Sequence, residues 1–328
     1  MFQIALIGAG RIGRIHAANA AAQPGLALKV VVDPVADAAA SLAASTGAEV
    51  ADLDAALNDP GIAGVIIASS TDTHLDYASR AVGAGKAVFC EKPIDLDLGR
   101  ARGAAGVLGG PQARLFLGFN RRFDPNFQAL KAKLDAGAVG ALETLHIISH
   151  DPAPPPVAYV KVSGGLFKDM AIHDFDMARW LLGDEPVEVF ASASCLVDPA
   201  IGEAGDVDTA KILLRTARGR LCVISNSRRS GYGYDQRIEA FGSGGAVRAV
   251  NVLESTVETW SEAGAAADRF QNFFLDRYAE AYRREMAHFA EILSGGVAPS
   301  VGYADGVAAL ALAEAAGESA RSGRPVKV

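Results

Sequence analysis

Apolar residues in the first third of the chain fall into short, nearly unbroken runs separated by alanine-rich stretches. The runs Gln3–Ile7, Leu28–Val32, Gly64–Ile67, Ala87–Cys90 and Leu115–Gly118 predict β-strands, and their near-continuous apolar character is that of parallel strands covered on both faces. Between them, Ile12–Ala22, Ala36–Ser45, Leu53–Asn58 and His74–Ala84 predict crossover helices. Gly25, Gly47 and Gly85 stand where helix C-termini favour a residue in the left-handed region. This alternation is the signature of βαβ units.

After Phe123 the texture changes. A helix is predicted over Pro125–Ala136 and a strand over Leu142–Ser149, and then Pro152, Pro154, Pro155 and Pro156 end the regular alternation. Further β-like runs follow at Val187–Leu196, Thr209–Thr216, Arg220–Arg228, Arg237–Gly242 and Ala246–Val250. Successive runs lie close enough for hairpins, which predicts a mostly antiparallel sheet. Helices over Phe273–Leu293 and Tyr303–Ser322 close the chain. The expected fold class is α/β: a doubly wound parallel sheet over 1–122, then a second α/β domain over 123–328 with an open, mostly antiparallel sheet. A length of 328 residues suits two domains.

Charge and composition narrow the partners. Lys plus Arg number 31 against 38 Asp plus Glu, a net charge of −7 with no basic cluster, which argues against nucleic acid. The longest apolar stretches, 63–68 and 306–313, fall well short of the roughly 20 residues that cross a bilayer. The chain starts almost at once on a strand, with no charged leader before an apolar run, so a cytoplasmic protein is expected. Cys90, Cys195 and Cys222 lie far apart without CxxC spacing, which suits small buried hydrophobes rather than a disulfide framework or a zinc cluster.

Two places carry candidate chemistry. Gly8-Ala9-Gly10-Arg11-Ile12-Gly13 is G-x-G-x-x-G set between the first strand and the first helix. There Gly8 permits the tight turn, Gly10 lets backbone approach a pyrophosphate, Gly13 allows close helix–strand packing, and the helix N-terminus offers N–H groups to the anion. Asp33 closes the second strand, where a carboxylate accepts from adenosine ribose hydroxyls and repels a 2′-phosphate, favouring NAD over NADP. Pro34 is placed to pack near the adenine or simply to stop the strand. A glycine-rich turn that binds nothing, or one that binds FAD, remains the competing reading of the loop. Lys92, in Glu91-Lys92-Pro93, follows a strand at the edge where open parallel sheets hold ligands, and its ammonium can donate to a substrate hydroxyl; an ordinary exposed lysine is the bland alternative.

The second place is Gly164 to Asp176. Asp169, His173 and Asp176 stand at i, i+4 and i+7, one stripe on a continuous helix. A solvated face would explain it. So would a general base, with the His173 imidazole titrating near neutrality and Asp169 orienting the ring and stabilising its charged form. Too few further ligands surround these residues to suggest a metal, and no G-x-S-x-G elbow suggests a serine hydrolase.

These motifs, together with Gly118-Phe119-Asn120-Arg121-Arg122-Phe123-Asp124, resemble the Gfo/Idh/MocA family of oxidoreductases over nearly the whole chain, and within it the bacterial inositol 2-dehydrogenases. The resemblance implies an N-terminal Rossmann domain that binds NAD and a C-terminal domain whose open sheet supports a homo-oligomer, usually a tetramer. It implies catalytic roles for Lys92, Asp169 and His173. Polyol contacts are implied for Lys92, Asp151, Asp169, His173, Asp176, Tyr234 and Tyr282, and cofactor contacts for Ile12, Asp33, Ser70, Thr71, His74, Glu91, Lys92, Asn120 and Arg121. His150 stands where the resemblance leads one to expect arginine. The implied reaction is oxidation of a ring hydroxyl of myo-inositol to the 2-keto product. Scyllo-inositol, another cyclitol or a sugar would use the same catalytic residues, and a protein that binds NAD without catalysis is a third alternative.

Overall fold

The computed structural model describes residues 1–328. The chain forms two compact units, one of residues 1–123 and 281–310, the other of residues 124–280 and 311–328.

In the first unit β1 (Phe2–Ile7), β2 (Leu26–Val32), β3 (Glu49–Val50), β4 (Ile62–Ile67), β5 (Ala87–Glu91) and β6 (Leu115–Gly118) make one sheet in the order β3-β2-β1-β4-β5-β6. Every pairing is parallel. Winding reverses between β1 and β4, the switch point outside whose C-terminal strand ends such sheets bind ligands. Residues 4–7, 65–67 and 88–90 are at most 2% exposed, as the unbroken apolar runs require of strands covered on both faces. The helices Arg11–Ala22, Ala36–Thr46, Leu53–Asn58 and His74–Gly83 lie within one residue of their predicted bounds, and Gly25, Gly47 and Gly85 take φ of +89°, +75° and +75°. A late segment completes this unit. On the helix Ala279–Leu293, Leu293 and Phe289 pack so closely on β4 that a Cβ at Gly64 would lie 2.8 Å from one and 3.0 Å from the other.

The second unit holds a seven-stranded sheet of β7 (Leu142–His150), β8 (Pro186–Ser194), β9 (Thr209–Thr216), β10 (Leu221–Ser227), β11 (Asp235–Gly242), β12 (Gly245–Ala249) and the short β13 (Val326–Lys327), in the order β12-β11-β7-β10-β9-β8-β13. All pairs are antiparallel except β7 with β10. The helix Ala171–Leu182 packs on β7 and β10, over an inner face that includes Leu145, Ile147, Ile212, Leu214, Ile224 and Ile238, all buried. The opposite face is open and carries Phe190, Leu213, Val223 and Phe241, each 38–49% exposed. Asp124 starts the helix Pro125–Asp135: its Oδ1 accepts from the N–H groups of Asn126 and Phe127, and its carboxylate pairs with buried Arg277. No helix is long and apolar enough to cross a membrane.

Two predicted helices are each divided in two. Phe273–Leu293 becomes Phe274–Arg277 and Ala279–Leu293. The stretch leading into Leu182 becomes Gly165–Asp169 and Ala171–Leu182, joined at Met170. Asp169 therefore ends one helix and His173 lies in the first turn of the next, but Met170 between them keeps right-handed helical dihedrals (φ −95°, ψ −60°), so the chain runs on in the same helical sense through the junction.

Candidate functional site

Within the first unit the proposed cofactor residues gather at one edge of the sheet, at the C-terminal ends of β1, β2, β4, β5 and β6. The three loop glycines are needed for different reasons. Gly8 has φ of +104°, and a Cβ there would sit 2.4 Å from the carbonyl oxygen of Ala68; one on Gly13 would sit 1.9 Å from the carbonyl oxygen of Gly8. Gly10 meets nothing within 4 Å and is exposed, so packing does not require its missing side chain and the backbone there is open to an approach from outside. No side chain caps the helix that starts at Arg11, which leaves its first N–H groups to an anion. Exposed Arg11 and half-buried Ile12 follow in that first turn, and exposed Pro34 follows Asp33.

Asp33 does more than the sequence suggests. Its Oδ2 accepts the Ala9 N–H at 2.6 Å and its Oδ1 the Val35 N–H at 2.8 Å, so the same carboxylate fixes the glycine loop. Beyond β4, Ser70 and Thr71 are at least partly exposed, while His74 is 2% exposed. The two His74 ring nitrogens face the carbonyls of Pro93 at 2.8 Å and Ser69 at 3.1 Å, tying the turn after β4 to the turn after β5. Lys92 follows Glu91 at the β5 end and is half-buried. Asn120 and Arg121 are buried in the turn after β6, and the Asn120 Oδ1 has no partner. An uncapped helix start, an open Gly10 and an orphaned amide oxygen at the same sheet edge fit a bound dinucleotide.

A buried carboxyl cluster behind this edge was not anticipated. His16 meets Glu91 Oε1 through Nε2 at 2.7 Å, and the Tyr282 ring stands edge-on to His16 with centroids 5.9 Å apart. Glu285, one turn beyond Tyr282, is fully buried with both oxygens unpartnered. Burial, and then the charge of Glu91, push its carboxyl well above the ordinary carboxylate range. Its signal in the sequence was a glutamate on the apolar face formed by Ala281, Tyr282, Met286 and Phe289. Below about pH 4.3 both folded and unfolded chains hold the proton; as pH rises the unfolded chain ionises and the folded one does not, so stability falls. Glu285→Gln removes that slope. Its melting temperature should therefore gain on wild type between pH 5 and pH 8 by several degrees, and an equal offset at both pH values in thermal melts would remove the neutral-acid assignment.

In the second unit the substrate-side candidates converge on one end of the sheet. In register, His150 of β7 pairs with Ser227 of β10 and with Asp235 of β11, which sets Asp151, Arg228 and Tyr234 beside one another just past those ends. Asp169 is 15% exposed; its Oδ1 accepts from the Tyr159 hydroxyl at 2.9 Å, and its Oδ2 lies 3.6 Å from Nη1 of Arg228. His173 is half-buried. Asp176 is 1% exposed, and its neighbour Asp174, fully buried, accepts from the Asn226 side chain at 2.7 Å. A solvated face is thereby excluded for this helix. Tyr234 is buried with its ring edge-on to Tyr278. His150 shares a hydrogen bond with Ser225 Oγ at 2.9 Å, and burial lowers its pKa.

A parallel sheet with this loop, acid and strand order defines a dinucleotide-binding domain of the Rossmann type. Residues 2–118 match the oxidoreductase family with an NAD-binding Rossmann fold, and residues 127–248 match the GFO/IDH/MocA C-terminal domain. The chain is 47% identical over 323 residues to an inositol 2-dehydrogenase of Rhizobium meliloti, spanning 98% of each protein. It superposes with a TM-score of 0.95 and 46% identity on the crystal structure of a myo-inositol dehydrogenase from Corynebacterium glutamicum, covering 100% of this chain and 99% of that one. A scyllo-inositol dehydrogenase from Lactobacillus casei, solved with NAD(H) and scyllo-inositol bound, gives a TM-score of 0.93 at 29% identity, covering 100% and 99%. The chain belongs to the Gfo/Idh/MocA family of oxidoreductases and is an NAD-dependent dehydrogenase.

Proposed function

We propose that the enzyme oxidises the 2-hydroxyl of myo-inositol to the ketone, with His173 as general base and Lys92 and Asp169 assisting. The observation that carries this reading is the gathering of Asp151, Asp169 and Tyr234 at one end of the second unit's sheet, in a chain 47% identical to an inositol 2-dehydrogenase. A polyol with several hydroxyls needs several buried partners, and leaving one unmatched costs roughly 1–3 kcal/mol, which is how such a group of residues selects a stereoisomer. Asp176 and Tyr282 complete the substrate contacts.

His173 accepts the hydroxyl proton. Lys92 orients the substrate oxygen and balances its charge as the carbonyl forms, and Asp169 orients the His173 ring and offsets the positive charge it gains with the proton. NAD supplies the hydride acceptor at C4 of its nicotinamide. The glycine loop and Asp33 hold the dinucleotide, with Pro34, Ser70, Thr71, His74, Glu91, Asn120 and Arg121 around it. In this reading residues 1–122 form the cofactor domain, onto which residues 281–310 pack, and the rest of 123–328 form the substrate and assembly domain, and the enzyme works in the cytoplasm as a homotetramer. The open sheet face with Phe190, Leu213, Val223 and Phe241 supports that assembly, since a second copy would cover it.

NADH formation from a panel of myo-inositol, scyllo-inositol, other cyclitols and glucose tests the substrate. The highest kcat/KM is expected for myo-inositol; a higher value for another polyol reassigns the substrate, and no turnover with tight NAD binding removes the enzymatic reading. Asp33→Ala should cut the preference for NAD over NADP about tenfold or more, because the repelling carboxylate is gone. NAD affinity should fall as well, since Ala9 and Val35 lose their acceptor. An unchanged ratio of the two kcat/KM values would move the discrimination elsewhere.

A further inference from the structure

Arg228 has a charge that nothing so far explains. Its side chain is 1% exposed, and its Nε and Nη2 have no hydrogen-bond partner. A guanidinium is always charged and is seldom buried without counter-charges. Here there are two: Asp169, whose Oδ2 lies 3.6 Å from Nη1, and Asp206, whose Oδ2 lies 3.7 Å from Nη2. Both separations exceed a hydrogen bond, so the attraction is Coulombic, acting where water is excluded and screening is weak.

The two acids bracket one short segment. Both Asp206 oxygens accept the Leu166 N–H at 3.1 Å, holding the start of the helix Gly165–Asp169, and a Cβ at Gly165 would press within 2.6 Å of Asp206 Oδ1. Asp169 is the last residue of that helix. Its two oxygens are addressed separately, Oδ1 by the Tyr159 hydroxyl and Oδ2 by Arg228. Arg228 itself is anchored to the sheet, because its N–H donates to the carbonyl of Asp208 at 2.8 Å. The Asp208 carboxylate in turn accepts from the N–H groups of Leu196, Val197 and Asp198 and from the Thr209 hydroxyl.

We infer that Arg228 is the positioning residue for Asp169, transmitting the rigidity of the sheet end to the carboxylate that serves His173. This rests on the proposed role of Asp169. A misplacement of about 1 Å in such a group costs on the order of 100-fold in rate, whereas a strut that only stabilises the fold would leave turnover per folded molecule unchanged.

The test is a double-mutant cycle of Arg228→Gln and Asp169→Asn, read by kcat, KM for the polyol, NAD affinity and thermal melting of each variant. In the wild-type background Arg228→Gln should lower kcat about 10- to 100-fold with KM changed by less than about threefold and NAD affinity kept, and Arg228→Lys should recover much of the loss. In the Asp169→Asn background the same substitution should change kcat by less than about threefold, because the group it acts through is gone. Equal losses in the two backgrounds, or a folded Gln variant with wild-type kcat, would overturn the inference. Should the Gln variant fail to fold, Arg228→Lys takes its place in the cycle, with a smaller expected loss and the same criterion: a loss confined to the wild-type background supports the inference, and any other pattern overturns it. Wild-type kcat in Asp169→Asn alone would instead remove the role of Asp169, and the inference with it.

Discussion

His173→Ala should lower kcat for the polyol by about 100- to 10,000-fold, the range that a positioned general base supplies, while NAD binding stays within about twofold of wild type. The expectation of a separable effect comes from where the residue sits. His173 lies in the first turn of Ala171–Leu182, a helix held by Ile172, Phe175, Met177 and Leu181, all at most 3% exposed. Removing a half-buried imidazole leaves that packing intact. The glycine loop and Asp33 belong to the other unit. A loss in kcat/KM that equals the loss in kcat marks an interaction made in the transition state alone, and steady-state rates with a separate NAD titration distinguish it from a general weakening of binding. Turnover like that of wild type would move the base elsewhere.

That argument does not need Asp169 and His173 on one unbroken helix, and the structure divides the helix between them at Met170. An i, i+4 spacing says only that two side chains share a face if the backbone continues in helical form, and nothing in Lys168-Asp169-Met170-Ala171 announces the junction at Met170, whose own dihedrals stay helical. Local elements of the first unit were legible because most of its apolar runs are buried on both faces and three of its helices are followed by a glycine at positive φ. The two-residue β3 was not, since Glu49 and Val50 are exposed and carry no pattern. Nor was the parallel pairing of β7 with β10, which joins distant segments through contacts that local periodicity does not encode.

Charged residues in apolar surroundings were the other silent class. Glu285 on an apolar helix face, Asp174 against Asn226, and Arg228 between two aspartates each break the rule that charges stay wet. In the sequence Asp174 and Arg228 read as ordinary surface residues, and Glu285 is marked only by its place on an apolar helix face. Only the fold shows that it is enclosed, and with what. The catalytic proposal was reachable from Lys92, Asp169 and His173 because those types carry chemistry by themselves, whereas the residues that hold them depend on tertiary neighbours.

The glycine loop provides the sharpest separation between folding and cofactor binding. Gly10→Val and Gly13→Val insert side chains into the same six-residue motif, yet their surroundings differ completely. At Gly13 a Cβ would overlap the Gly8 carbonyl oxygen at 1.9 Å, so strand and helix must part; at Gly10 the first atom of the new side chain meets nothing within 4 Å. Gly13→Val should therefore lower the melting temperature of the cofactor-free protein by many degrees, or prevent folding, since overpacking typically costs 1–3 kcal/mol or more and backbone cannot yield as a side chain does. Gly10→Val should leave that melting temperature within about two degrees of wild type and weaken NAD by about 100-fold, because its isopropyl group occupies the approach of the pyrophosphate. Calorimetric titration of NAD and thermal melts of the two variants check both halves. Unweakened NAD binding in Gly10→Val would mean that the phosphates do not pass over this glycine, and the assignment of the loop as the dinucleotide cradle would fall even with the fold intact.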